Sequence, residues 1–401
     1  MSMARAIAPT KSLIDSIQPR SMNSILLFTF LLLFIGLLMM TSASVELASS
    51  QYADPFFFLK RQLIFSAIGI LVLVATLHIP VTAWRAQSWY LLMGSFALLL
   101  LVLVPGVGES VKGSTRRIDL VLFDLQPSEL AKVFIVVYLA AFLERQLDEV
   151  REKWSGFYKP LLVVGAAVTL FHFQPDHGTM VILTLTALCM IFLAGAKLYR
   201  ILLMLTFCMG AIALLAVMKP YVIDRITSFL DPWAVENVTN GGYQQAMAQV
   251  AFGRGEWFGV GLGNSIQKLY FLPEAHNDFV LAIVGEELGL IGVATVILLF
   301  SALIYKAFSI GQKAQQENKL FAAFFAYGLG LLFAGQTMIN VGASISLLPV
   351  KGLTLPFMSY GGASLIMSFF MIGLLVRIEY EIDNRINNVG EAWVATCQLK
   401  T

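Results

Sequence analysis

The sequence predicts an all-α integral membrane protein with about ten transmembrane helices. Of its 401 residues, 58% are hydrophobic and only 13% are charged, and the mean hydropathy is +0.78. Soluble domains usually carry about 25% charged residues. The apolar residues also fall into long runs, and a helix needs about 20 of them to cross the hydrocarbon core of a bilayer. The chain is therefore predicted to lie mostly in lipid.

Ten apolar runs give this helix count. The first follows a polar stretch with Arg5, Lys11 and Arg20, and it is too long for a signal-peptide core, so we expect it to be retained. The predicted spans are 24–45, 62–80, 86–104, 128–144, 160–174, 178–195, 199–218, 278–305, 319–342 and 353–377.

The distribution of Lys and Arg predicts the orientation. Ten spans put both termini on one side, and cytoplasmic termini place more than half of the 27 Lys and Arg residues inside. This gives a cytoplasmic tail at 1–23, a membrane domain at 24–380 and a cytoplasmic tail at 381–401. A long extracytoplasmic loop, 219–277, joins helices 7 and 8, and its stretch GYQQAMAQVAFG predicts an amphipathic helix on the membrane surface.

Several function classes have no support in the sequence. The net charge is only +2, which gives no indication of a nucleic-acid partner. The three Cys residues have no spacing typical of a disulfide framework or a zinc site. No Walker motif, dinucleotide-binding fingerprint or catalytic Ser-His-Asp pattern is present. The remaining signals are polar clusters within or beside the spans.

The stretch QPSELAK, 126–132, places Glu129 and Lys132 three residues apart, hence on one face of a helix. They predict either a structural ion pair or a contact to substrate. The stretch FHFQPDHGTM, 171–180, predicts a fold-back between two short helices. Asp176 at this break is either a residue of a wet cavity or the cap of the second helix, and both roles are compatible.

The stretch FLPEAHNDFV, 271–280, brings His276 and Asp278 to the start of a span, where Asn277 is expected to cap the helix. The helix dipole favours an ionised Asp278, and Glu286 follows about 12 Å deeper. His276 alone is more often an interfacial residue than a functional one.

Two further stretches predict cavity residues. LLPVKGLTLPFMSYGGAS, 347–364, contains prolines and glycines that predict a broken start to the last span, with Lys351, Ser359 and Tyr360 facing the interior. VKGSTRRIDL, 111–120, lies on the predicted outer side, where Arg116 suits either a phosphate-bearing ligand or lipid headgroups. Together the clusters predict an outward-facing polar cavity, which fits a transporter or an enzyme acting on a lipid-borne substrate.

Five stretches of the chain occur in the order in which a known family has them. They are KGSTRRIDL, QPSELAK, QPDHGT, GRGEWFGVGLGNSIQKLYFLPEAHNDF and LLPVKGLTLPFMSYGGAS. In these stretches the chain resembles the SEDS family, the shape, elongation, division and sporulation proteins of bacteria. The run GLGNSIQKLYFLPEAH is more similar to the division branch than to the elongation branch. The resemblance covers nearly the whole chain. It implies a ten-helix glycosyltransferase of the inner membrane that polymerises lipid II during septal cell-wall synthesis.

The resemblance also implies residue roles and partners. Asp278 matches the essential acid of the family, and Arg116, Glu129, Lys132 and Asp176 match other cavity positions. Asp278 is expected to act as a general base or to hold a divalent metal, Mg²⁺ or Mn²⁺; no cofactor is otherwise implied. The expected partners are lipid II, an FtsI-like class B penicillin-binding transpeptidase, and an FtsQ, FtsL and FtsB assembly. The alternatives are a lipid II flippase and a non-catalytic division scaffold.

Overall fold

The computed structural model of the protein describes residues 22–106, 108–111, 114–119, 124–206, 210, 227–238, 242–349 and 352–398. In these ranges the chain is almost entirely helical, and the helices pack around one hydrophobic core. The predicted all-α membrane fold is confirmed. The helices, in chain order, are α1 Met22–Tyr52, α2 Phe57–Leu77, α3 Val81–Ala86, α4 Ser88–Val102, α5 Pro127–Arg145, α6 Leu147–Glu152, α7 Trp154–Phe173, α8 His177–Leu193, α9 Val235–Val238, α10 Tyr243–Gly255, α11 Val280–Gln316, α12 Leu320–Ser344 and α13 Gly362–Gln398.

Six described helices, α1, α2, α7, α11, α12 and α13, are long and apolar enough to cross a membrane by length and composition. Helices α4 and α8 are apolar but shorter, and α5 is buried along most of its length. Each of these helices overlaps one predicted span. The seventh predicted span, 199–218, lies mostly outside the described residues, so the count of ten stays a prediction.

A small antiparallel sheet lies between α4 and α5. Its strands are β1 (Glu109–Val111), β2 (Ser114–Asp119) and β3 (Asp124–Leu125), in the order β1-β2-β3. These strands were not predicted from the sequence, because strands this short give too little alternation to be recognised. Its strand β2 carries Arg116 and Arg117.

Two predicted interruptions are confirmed. Helix α7 ends at Phe173 and α8 begins at His177, so the apolar stretch folds back where Pro175 was expected to break it. Residues 352–361 are not helical, and the last helix begins only at Gly362. These ten residues are termed the open break below.

A third interruption, within α11, was not predicted. Gly289 has φ of +68°, outside the helical region. We term this interruption at Gly289 the closed break. The loop segment 256–261, termed the closing segment, bonds to α11 on both sides of it through four backbone hydrogen bonds. The bonds run from Leu290 N to Glu256 O (2.8 Å), Ile291 N to Trp257 O (3.2 Å), Val260 N to Glu286 O (3.0 Å) and Gly261 N to Glu287 O (3.1 Å).

The long loop folds against the protein. The predicted helix in GYQQAMAQVAFG is present as α10, and it packs on α11. Its buried residues include Ala248, Ala251 and Gly255. The small side chains allow a close approach, since a Cβ on Gly255 would overlap the carbonyl oxygen of Gly285. The loop is therefore a packed layer over the bundle in the residues that are described.

Candidate functional site

A polar cavity of about 440 Å³ lies where α5, α11 and α13 begin. The long loop contributes Gln244 and Glu274 to its wall, and the small sheet contributes Arg117 and Asp124. Part of the long loop therefore lies in the cavity wall. Its polar lining residues are Arg61, Arg117, Asp124, Gln126, Glu129, Gln244, Glu274, Asn277, Asp278, Thr354, Tyr360 and Ser364.

The cavity carries charges of both signs. Its acidic side chains are Asp124, Glu129, Glu274 and Asp278, and two arginines, Arg61 and Arg117, lie in the same wall. The Arg61 guanidinium lies near the rings of Phe57 and Phe65, 5.6 Å and 6.0 Å from their centroids. Guanidinium groups bind phosphates well, and carboxylates accept protons. The arrangement suits a ligand with both hydroxyl and phosphate groups.

Asp278 lies in a turn just before α11. The backbone amides of Asn277 and Asp278 donate to the carbonyl oxygen of Glu274 at 3.0 and 3.1 Å. Helix α11 begins at Val280, and Phe279 precedes it without a side-chain cap. The Asn277 side-chain amide instead donates to Glu274 Oε2 at 2.6 Å. The prediction that Asn277 caps the helix is wrong, because its side chain bonds back within the turn.

The turn of Asp278 is bound to the open break. The backbone amide of Tyr360 donates to the carbonyl oxygen of His276 at 3.0 Å. The side-chain amide of Asn340, on α12, donates to the carbonyl oxygens of Asp278 at 3.0 Å and Leu353 at 2.7 Å. Asn340 is only 2% exposed. Two non-helical segments therefore form one side of the cavity together.

His276 and Ser359 support this side from behind. The His276 ring packs against the rings of Phe58 and Tyr360, with centroids 4.9 and 6.0 Å apart. The Ser359 hydroxyl accepts from the backbone amide of Leu355 at 2.8 Å. Both residues are buried, and neither is part of the described cavity lining. The structure gives them packing and backbone contacts around the site.

Glu129 and Lys132 form a buried ion pair. The Lys132 ammonium donates to both carboxylate oxygens of Glu129, at 2.8 and 2.7 Å. Lys132 is 1% exposed and Glu129 is 4% exposed. Glu129 also lines the cavity. The pairing follows the structural alternative, and the position of Glu129 is compatible with the substrate-contact alternative as well.

Asp176 caps α8. Its carboxylate accepts from the backbone amide of Thr179 at 3.3 Å and from the Thr179 hydroxyl at 3.0 Å. It also accepts from the Ser128 hydroxyl at 2.8 Å and from the Gln126 side chain at 3.4 Å. Asp176 is buried, and its contact with the cavity runs through Gln126, which lines it.

Glu286 lies elsewhere. It is fully buried, and it accepts from Arg254 Nη1 at 2.6 Å, from the Ile266 backbone amide at 2.9 Å and from the Ser265 hydroxyl. Within the described chain it is not part of the cavity wall. Glu286 therefore holds the long loop on α11 through these bonds.

Two predicted residues have side chains outside the described part of the protein. Arg116 lies on β2, but only its backbone is described, and Lys351 lies outside the described residues. Arg61 and Glu274 line the cavity but were not predicted as site residues from the sequence. Arg61 follows the start of an apolar helix, where an arginine usually indicates an interfacial position. Glu274 is two residues before His276 in sequence, and that proximity was the available signal.

The described residues contain no group of three or more His, Cys, Asp or Glu side chains that could hold a metal ion by themselves. At Asp278, a divalent ion would also bind oxygen atoms of a substrate. Phosphate oxygens are common ligands of this kind, since Mg²⁺ often combines one or two carboxylates with substrate phosphates. The donor set in the cavity fits such a site.

The fold and cavity define a multi-pass membrane protein with a charged chamber where three helices begin. The profile of the FtsW/RodA/SpoVE family, described as cell cycle proteins, matches residues 22–384. The chain belongs to this family. It is 45% identical over 350 residues to the probable peptidoglycan glycosyltransferase FtsW of Pseudomonas fluorescens, covering 87% of this chain and 86% of the relative. The corresponding protein of Hahella chejuensis is 47% identical over 347 residues, covering 86% and 87%.

Solved structures give the same fold. A chain of a peptidoglycan synthase complex, studied for the coordination of polymerization and crosslinking, is 26% identical, with a TM-score of 0.73. The similarity covers 89% of this chain and 97% of that chain. The rod shape determining protein RodA of Thermus thermophilus is 23% identical, with a TM-score of 0.63, covering 88% and 95%. The RodA likeness supports the fold alone.

Proposed function

We propose that this protein is a peptidoglycan glycosyltransferase that polymerises lipid II into glycan strands and releases undecaprenyl pyrophosphate. The observation that carries the proposal is the placement of the Asp278 carboxylate and two arginines in one cavity at the start of membrane helices. The tail of such a substrate stays in lipid while its head reacts in water, so the reacting groups belong at this boundary. Relatives that are 45–47% identical bear the name of this activity.

Asp278 is the proposed general base. It takes the proton from the 4-hydroxyl of the acceptor sugar, and that oxygen attacks the anomeric carbon of the donor with inversion. The bond from this carbon to the pyrophosphate breaks, and undecaprenyl pyrophosphate leaves with the electron pair. General-base assistance typically accelerates a reaction by about 10²–10⁴-fold. A rival role for Asp278 is to ligate a divalent ion.

The leaving pyrophosphate needs positive charge near it. Arg61 and Arg117 lie in the cavity wall and are the described candidates. Arg116 and Lys351 remain candidates from the sequence. Mg²⁺ or Mn²⁺, held by Asp278 and the phosphate oxygens, would supply further countercharge. Glu129, held by its ion pair with Lys132, is assigned to the wall that positions the substrate.

The proposed setting is the bacterial inner membrane at the division septum. The membrane location rests on the apolar helices and the family. A class B penicillin-binding transpeptidase of the FtsI type is the proposed partner, because a similar chain occurs in a peptidoglycan synthase complex. FtsQ, FtsL and FtsB are the proposed regulators, in keeping with the resemblance to the division branch.

The test is polymerisation of labelled lipid II in liposomes containing the full-length protein, with and without the transpeptidase, and products resolved on a gel. The key variant is Asp278→Asn, which keeps size and removes charge. The matched control is Glu236→Gln, an exposed acid on the same loop. Thermal unfolding is measured in parallel for each protein.

We expect glycan strands from the wild type and from Glu236→Gln, and none from a folded Asp278→Asn protein. The loss should be at least about 10²-fold. Translocation of lipid II without glycan product would support the flippase alternative. Absence of both activities, with the transpeptidase still bound, would support the scaffold. Long strands from a folded Asp278→Asn protein would remove this residue from the mechanism.

A further inference from the structure

The side of the cavity that carries Asp278 is built from two non-helical segments. The turn at 274–278 precedes α11, and the open break precedes α13. Irregular backbone at membrane depth needs bonding partners from the surrounding protein. The position of the Asp278 carboxylate therefore depends on whatever fixes these two segments relative to each other.

Asn340 makes the side-chain link between them. Its Nδ2 atom donates one hydrogen bond to the carbonyl oxygen of Asp278 at 3.0 Å and one to that of Leu353 at 2.7 Å. A side-chain amide has two N–H donors, and both are used here. Asp278 and Leu353 both line the cavity, so the link joins two parts of its wall.

The Asp278 backbone is then held at both ends. Its amide donates to Glu274 at 3.1 Å, and its carbonyl accepts from Asn340. Asn340 belongs to α12, whose buried Phe325 and Phe333 place it in the core. With the backbone fixed, only rotation of its own side chain remains to move the Asp278 carboxylate.

We infer that Asn340 is a positioning residue that holds Asp278 in register with the open break for the transfer reaction. The inference rests on the proposed function for its effect on turnover. Catalytic groups must be held within a fraction of an ångström, and a misplacement of about 1 Å can cost about 10²-fold in rate. Asn340 is not expected to touch the reacting atoms, because both of its N–H donors are bound to backbone carbonyl oxygens.

The test variants are Asn340→Ala, which removes both donors, and Asn340→Gln, which keeps an amide on a longer stem. The matched control is Thr337→Val, on the same helix. The Thr337 hydroxyl is buried and its oxygen has no hydrogen-bond partner among the described residues, so its removal breaks none of the bonds described there. If Asn340→Ala does not fold, Asn340→Ser replaces it, since its hydroxyl is too short and has one donor for two carbonyls.

Two measurements are made on full-length protein in liposomes. The first is kcat and KM with lipid II. For Asn340→Ala, termed the donor-free variant, we expect kcat to fall between about tenfold and 10²-fold, with KM little changed. Asn340→Gln should recover part of this loss in kcat. Thr337→Val should have wild-type kcat and KM. The second is amide hydrogen exchange of the peptides covering 272–280 and 352–361. Both should exchange faster in the donor-free variant alone.

Wild-type kcat in a folded donor-free variant, or unchanged exchange in both peptides, would overturn the inference. An equal loss in Thr337→Val would also overturn it, because that result indicates a general packing effect. Failure of the wild type to polymerise lipid II would contradict the proposed function instead. The exchange measurement would still decide whether Asn340 holds the Asp278 turn.

Discussion

The closed break within α11 and the open break before α13 are both non-helical, but they are packed differently. In the closed break, the loop segment 256–261 supplies four backbone hydrogen bonds to α11 around Gly289. The adjoining acids, Glu286 and Glu287, are fully buried and ion-paired to Arg254 and Lys268. Nothing in this region faces the cavity among the described residues.

The open break is held by hydrogen bonds to separate residues rather than by one continuous segment. Its bonds run to single groups of other elements, such as His276 O, the Gln62 side chain and the Asn340 amide. Gly352, Leu353, Thr354, Tyr360 and Gly361 face the cavity directly. In this protein, the break whose polar backbone is not covered by another segment of the chain is the one that lines the cavity.

The largest effect is expected from Gly289→Ala in the closed break. A Cβ at this position would lie 2.6 Å from the carbonyl oxygen of Trp257 and would overlap the amide of Gly259. The positive φ adds strain of about 1–3 kcal/mol, and the overlap adds about 1–3 kcal/mol. The yield of folded protein and the midpoint of thermal unfolding in detergent should both fall sharply.

The matched variant in the open break is Gly361→Ala. A Cβ there would meet the Thr354 methyl group at 3.3 Å, and its φ is not positive. Its unfolding midpoint should stay near that of the wild type, whereas turnover changes because the residue lines the cavity. Equal destabilisation by the two substitutions would refute the distinction between closed and open breaks.

The second effect is the loss of one ion pair from the closed break. Lys268 Nζ lies 2.8 Å from Glu287 Oε1, and the Glu287 side chain is fully buried. Lys268→Met leaves this carboxylate without its cation, and breaking such a buried pair costs about 3–5 kcal/mol. We expect the lower end, because the Ser42 hydroxyl at 2.7 Å remains as a donor.

The measurement is again the thermal midpoint, with Lys268→Arg as the control that keeps the charge. Limited proteolysis should cut the loop sooner in Lys268→Met than in Lys268→Arg. A loop that stays protected in Lys268→Met would mean that the backbone bonds of the closing segment suffice to hold it.

The positions of the helices and of the open break were predictable from local patterns. Apolar runs of about 20 residues indicate spans regardless of context, and Pro349, Pro356 and the glycines indicate irregular backbone. The closed break was not predictable in this way. A single glycine in an apolar run is compatible with a helix, so only the docked loop shows why Gly289 departs from helical geometry.

The site was predicted in part. Asp278 and Glu129 line the cavity as expected, because polar residues at membrane depth usually face a cavity or a partner. Glu286 was grouped with Asp278 because both lie on one predicted helix, but Glu286 is ion-paired to Arg254 and does not line the cavity among the described residues. Arg61 and Arg117 come together only through the tertiary fold.

A third, smaller effect is expected within the open break. The Ser359 hydroxyl accepts from the Leu355 amide at 2.8 Å, and Ser359→Ala leaves this buried donor without its partner. Such a loss costs about 1–3 kcal/mol. The midpoint should fall modestly, with amide exchange faster at 352–361 and unchanged at 256–261. Faster exchange in both segments would indicate that the two breaks are coupled rather than independent.

The smallest effect on stability is expected from Asp124→Asn in the cavity wall. Asp124 and Arg117 form an ion pair of 3.5 Å with side chains 45% and 37% exposed. Exposed pairs contribute about 0–1 kcal/mol, so the midpoint should not change measurably.

The loss of a negative charge beside Arg117 should strengthen binding of a pyrophosphate substrate and lower its KM. Two unit charges 4 Å apart interact by about 1 kcal/mol in water, which limits the gain to about fivefold. Raising the salt from 0.1 to 1 M shortens the screening length from about 10 to 3 Å, so the gain should disappear there. The control is Asp54→Asn, a partly exposed acid paired with Lys60 outside the described cavity wall, which should leave KM unchanged. An equal change in both variants would assign the effect to overall charge, and no change in Asp124→Asn would exclude Arg117 from phosphate recognition.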